Sequence, residues 1–150
     1  MSETEVRRTV EIEAAPGVVW EFLVDPLKMR RWMGSAATLD PRPGGVLDVQ
    51  VVPGARALGT YIEVDPVSRV VFTWGWEGAE PAPGTTTVTV TLEPAGTGTR
   101  LTLVHDGLDA EAASKHEVGW TKYLARLAVA ASGGDPGHDA MTTRTEGVTA

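Results

Sequence analysis

Few residues in this sequence are equipped for chemistry. There is no cysteine, so disulfides, thiolate metal sites and cysteine nucleophiles are excluded. Of the three histidines, His105 and His116 fall in regularly patterned sequence and His138 in a polar stretch near the end. Two histidines without a third ligand at fixed spacing do not make a metal site, and no metal or other cofactor is expected. No Gly-x-Ser-x-Gly elbow, paired-histidine metal helix or phosphate loop occurs. Gly96-Thr97-Gly98 precedes strand-like sequence rather than a helix, so it reads as a hairpin and not a phosphate cradle. Glu63 and Asp65 share one side of a strand, but alternation places that side in solvent. Positive evidence for catalysis is missing, and no catalytic residue is assigned.

Aromatic residues are a richer signal. The chain has five tryptophans against two tyrosines and two phenylalanines. Trp20 sits on a helical pattern and reads as core. Trp32, Trp74, Trp76 and Trp120 come from separate elements, and a rigid aromatic wall with a few polar tips is how small-molecule sites are lined. Together with Leu103, His105, His116 and Tyr123 they form the candidate ligand-binding set. Core filling is the plain alternative for each tryptophan, and a neutral, hydrogen-bonded core imidazole is the plain alternative for each histidine. Trp76, at a strand end beside a loop, is the expected residue at the mouth.

These side chains need elements to position them. Val6 to Glu13 alternates as a half-buried strand. Pro16 opens a first helix carrying Val19, Trp20, Leu23 and Val24, and Asp25-Pro26 caps a second, expected over Leu27 to Trp32. Strand patterns follow over 46–52, 59–64, 69–76, 86–93 and 100–106, punctuated by Pro-Gly, Asp-Pro and Gly-Thr-Gly turns. In the third of these Val70, Phe72, Trp74 and Trp76 share a face. In the fourth Val88, Val90 and Leu92 face in while Thr87, Thr89 and Thr91 face out, as a one-sided antiparallel sheet requires. In the last Leu101, Leu103 and His105 point inward. From Asp109 to Ser132 the period becomes helical, with His116, Trp120, Tyr123, Leu124 and Leu127 on one stripe. A helix of that length spans roughly 35 Å, enough to cross a small sheet.

Burying both the sheet face and the helix stripe is solved by packing one on the other. The expected fold class is α+β: a curved antiparallel sheet wrapped around a long C-terminal helix, with two short helices after the first strand. The domain is expected over residues 1–132, with 133–150 a flexible tail. Hydrophobic residues at 42% and charged residues at 22% suit a globular domain. The formal net charge of −7 and the lack of a concentrated basic face argue against nucleic acid. No apolar run spans a bilayer, the N-terminus is not patterned as a signal peptide, and the expected location is cytoplasmic.

The order of pieces resembles the SRPBCC (START-like) superfamily, and within it bacterial proteins related to the activator of heat-shock protein 90 ATPase. The resemblance is carried by Ala15-Pro16, Val19-Trp20 and Leu23, then Asp25-Pro26, Arg31-Trp32 and Asp40-Pro41-Arg42-Pro43-Gly44-Gly45. It continues through Asp65-Pro66, Val71-Phe72-Thr73-Trp74, Gly98-Thr99-Arg100-Leu101-Thr102-Leu103, His105, Gly107-Leu108 and Gly119-Trp120. It covers about residues 5 to 131 and implies the helix-grip fold. It also implies a cavity between sheet and helix for an apolar, lipid-like or polyketide-like molecule. Two alternatives stay open. One is a cyclase or dehydratase using His105 or His116 as general acid–base. The other is an interaction module, homodimer or chaperone partner, with an exposed apolar patch around Leu27, Met29 and Met33. Chaperone activation is discounted, because the additional N-terminal domain that accompanies this fold in the eukaryotic co-chaperone has no counterpart in this sequence.

Overall fold

The structure is a computed structural model that describes residues 5–137. β1 (Val6–Ile12) is followed by α1 (Pro16–Val24), α2 (Pro26–Met29), β2 (Ala36–Leu39), β3 (Val46–Val52), β4 (Ala55–Asp65) and β5 (Arg69–Trp76). β6 (Thr86–Ala95), β7 (Gly98–Asp106) and α3 (Ala110–Ala131) complete the chain. The strands form one antiparallel sheet in the order β1-β7-β6-β5-β4-β3-β2. Register irregularities between Gln50 and Val52 on β3 and between Tyr61 and Glu63 on β4 add bends to the sheet.

α3 lies along the concave face. Asp109 caps it by accepting from the backbone N–H of Ala112 at 2.8 Å, and Trp120, Tyr123, Leu124, Leu127 and Ala130 are buried. The facing layer comes from alternate strand residues: Leu47, Val49, Phe72, Trp74, Val88, Val90, Leu101 and Leu103. Truncating a core leucine such as Leu127, which has no exposed surface, would cost about 2–5 kcal/mol. This is the helix-grip fold expected from the strand and helix patterns.

Three local readings change, and β4 shows which of its faces is buried. α2 is one turn, and residues 30–33 continue only as hydrogen-bonded turns up to Gly34, where φ is +83°. β2 adds an edge strand that Ala36-Ala37-Thr38-Leu39 announces poorly, since the apolar contrast between its faces is weak. On β4 it is Tyr61 that is buried, edge-on to Phe72 at 6.0 Å, while Ile62 is 52% exposed. Met29 and Met33 are buried in the core, so of the expected apolar patch only Leu27 stands in solvent. The turn after α2 curls inward and takes both methionines with it.

Beyond α3, Arg126 holds the chain. Its guanidinium donates to the carbonyls of Trp32, Pro136 and Gly137 at 3.0, 3.2 and 3.1 Å, tying the end of the described chain to the turn after α2. The remainder of the expected tail, including His138, lies outside the described residues, as do residues 1–4. Among the described residues no helix is long and apolar enough to cross a membrane.

Candidate functional site

An open cleft lies where the C-terminal end of β5 meets the first half of α3. It measures about 270 Å³ and is lined by Met33, Trp74, Trp76, Glu80, Lys115, His116, Gly119, Trp120 and Tyr123. Strand alternation sends Trp74 and Trp76 to the same face, and helical spacing brings His116, Trp120 and Tyr123 to one stripe. The rings stack at angles. Trp74 and Trp76 stand nearly perpendicular at 5.7 Å, and Trp74 and Trp120 are tilted at 5.2 Å. Such offset and edge-on contacts hold aromatic walls rigid.

Gly119 supplies the space. A Cβ built on it would meet nothing within 4 Å. Glycine inside a helix costs roughly 0.5–1 kcal/mol relative to alanine, and here it replaces a side chain that would project into the cleft.

The two histidines have distinct roles. His105 has no exposed surface. The indole N–H of Trp120, which can only donate, reaches His105 Nδ1 at 3.1 Å, so Nδ1 is the acceptor. Nε2 therefore carries the hydrogen and donates to Thr86 Oγ1 at 2.8 Å. Thr86 in turn donates to the carbonyl of Trp74. Every polar atom in this chain is satisfied, and burial, reinforced by His116, pushes the His105 pKa down to about 3. His116 is the opposite tautomer: Nδ1 donates to the Ala112 carbonyl at 2.8 Å, and Nε2 accepts from the Trp76 indole at 3.1 Å. Burial also lowers its pKa, with the Ala112 bond opposing. The two rings meet edge to face at 4.9 Å, both neutral.

Beneath the cleft, walled off by Trp74 and Trp120, lies an apolar void of only about 20 Å³ that also touches Trp32 and Leu103. Its wall is hydrocarbon and indole, whereas a buried water needs two to four polar partners. Among the described residues two buried side-chain groups have no hydrogen-bond partner, the Trp74 indole N–H and the Tyr61 hydroxyl. Each costs about 1–3 kcal/mol.

Of the candidate set, Trp74, Trp76, His116, Trp120 and Tyr123 converge on the cleft. Trp32 and Leu103 lie deeper, at the small void, and the Trp32 indole donates to the Phe22 carbonyl at 2.9 Å. His105 stands behind Trp120 and borders neither space. Sequence reasoning did not name Thr86, Glu80 or Lys115 as site residues, and it took Gly119 only as part of the Gly119-Trp120 resemblance. Thr86 shares the parity of Val88 and so belongs to the inner face, and a glycine next to Trp120 in mid-helix was the available sign of a gap. Among the described residues no group of three His, Cys, Asp or Glu side chains could hold a metal ion.

A curved antiparallel sheet closed on a C-terminal helix, with two short helices after the first strand, defines a helix-grip protein of the START-like (SRPBCC) class. The chain belongs to the family of Activator of Hsp90 ATPase homolog 1-like proteins, whose family model matches residues 13–132. None of the curated proteins matches it. Among solved structures, an AHSA1-like protein of Rhizobium etli is 43% identical, with a TM-score of 0.73 over 90% of this chain and 86% of that one. DynU16, a protein in the dynemicin biosynthetic locus, is 26% identical with a TM-score of 0.78. That match covers 89% of this chain but 49% of DynU16, so the chain spans about half of that relative's length. The Aha1 dimer from Colwellia psychrerythraea, at 16% identity and a TM-score of 0.75 over 87% of this chain and 97% of that one, shares the fold.

Proposed function

We propose that this protein binds a small apolar or aromatic molecule in the cleft between β5 and α3. One observation carries the reading: a gap of about 270 Å³ walled by Trp74, Trp76 and Trp120 and bordered by Gly119, where a built Cβ would meet nothing within 4 Å. An exposed apolar hollow of this kind is stabilised by an occupant that removes its surface from water. The volume lies at the lower end for small-molecule sites, which favours a compact ligand over a long-chain lipid. The likeness to DynU16, a protein of a biosynthetic locus, fits an organic small molecule as the occupant. Titration with fatty acids, flavonoids and polyketides, followed by tryptophan fluorescence, tests it directly. Saturable quenching by at least one compound is expected, and no response from any member of the panel would count decisively against it.

A further inference from the structure

The polar lining of the cleft narrows the class of ligand, and this step rests on the binding role proposed above. Of the two histidines, His105 is closed off, with Nδ1 taken by Trp120 and Nε2 by Thr86. His116 is half-buried and borders the cleft. Its Nδ1–H is committed to the Ala112 carbonyl, which fixes Nε2 as a bare acceptor. The sole hydrogen-bond donor seen on Nε2 is the indole of Trp76, itself a half-buried residue of the cleft wall. Of the other polar side chains of the cleft, Tyr123 is buried while Lys115 and Glu80 are exposed, and the Lys115 ammonium pairs with Glu111 at 3.3 Å.

We propose that His116 Nε2 is the hydrogen-bond acceptor for the ligand, and that the cleft selects an aromatic molecule carrying a hydroxyl donor, a phenol or enol. The ligand O–H takes the place of the Trp76 N–H, and no proton is transferred. A carbonyl, ether or carboxylate oxygen brings only lone pairs to face the lone pair of Nε2. A hydroxyl gives its hydrogen to Nε2 and keeps its own lone pairs.

The matched probes are 2-naphthol and 2-methoxynaphthalene, which share a ring system and differ in the donated hydrogen. Calorimetric titration of the wild-type protein is expected to show naphthol binding several-fold tighter, less than the roughly tenfold worth of one uncontested hydrogen bond because the Trp76 N–H is displaced. In His116→Leu, with folding checked by thermal melting, the two affinities converge. Trp76→Phe keeps an aromatic wall but removes the competing donor, and naphthol should then tighten several-fold while the ether does not. Equal affinities in the wild-type protein, or a preference that survives His116→Leu, overturn the hydroxyl assignment and leave the cleft as a binding site. Absence of binding by both probes, together with a silent ligand panel, overturns the binding role and this inference with it.

Discussion

Replacing His105 by glutamine separates its titration from its hydrogen bonds. Glutamine can still accept from Trp120 and donate to Thr86, but it cannot take up a proton. In the folded protein the pKa of His105 is pushed from 6.5 to about 3, chiefly by burial. The unfolded chain therefore binds a proton below 6.5 that the folded chain refuses. The contribution is complete above pH 6.5 and is lost as pH falls toward 3, at about 1.4 kcal/mol per pH unit. At about pH 5 the wild type should have lost about 2 kcal/mol of stability relative to about pH 8 on account of this residue alone. The other titratable groups are present in both proteins, so the difference isolates position 105 together with its coupling to His116. Urea unfolding followed by tryptophan fluorescence, at both pH values for wild type and His105→Gln, measures it. The wild type should show the steeper loss by about 2 kcal/mol. Parallel losses would refute the assignment of His105 as a buried neutral group.

Two further outcomes follow from the same structure. Thr86→Val keeps the shape but strips both the acceptor of His105 and the donor to the Trp74 carbonyl, and should cost about 1–3 kcal/mol in urea unfolding; a change near zero would contradict the relay. Val67 occupies φ +74° in the Asp65–Ser68 turn, closed by a Ser68 N–H to Asp65 carbonyl bond of 3.0 Å, a conformation in which a β-branched side chain is strained. Val67→Gly should therefore raise stability by about 1 kcal/mol and the melting temperature by about 2–4 °C, and a lowered melting temperature would argue against that strain.

The sequence is legible where one periodicity dominates. The Thr/Val alternation of β6 and the His116–Leu127 stripe of α3 needed no structure, because burying one face leaves a pattern of period two or near four. The hypothesis that Trp74, Trp76, Trp120 and His116 meet follows from those same patterns. How deep their meeting place lies does not. Periodicity says which way Trp32 and Leu103 point, but not that indoles of this size fill the interior and leave open space only at its rim. Tyr61 and Ile62 sit beside a register shift on β4, and a bulge is invisible to a period-two reading. Met29 and Met33 look like a surface pair in sequence because the turn that buries them depends on Gly34. Gly119 is a blank in any hydrophobicity pattern, although it opens the cleft.

The central claim is that this cleft is a binding site, and Gly119 tests it most directly. The ligand panel should be titrated into wild type, into Gly119→Ala as a folding control, and into Gly119→Phe, whose ring would occupy the space that is open above the glycine. The account predicts saturable binding of at least one aromatic compound by the wild type and its loss in Gly119→Phe, with thermal unfolding still cooperative. Binding of equal strength in Gly119→Phe would place the ligand elsewhere and contradict the account.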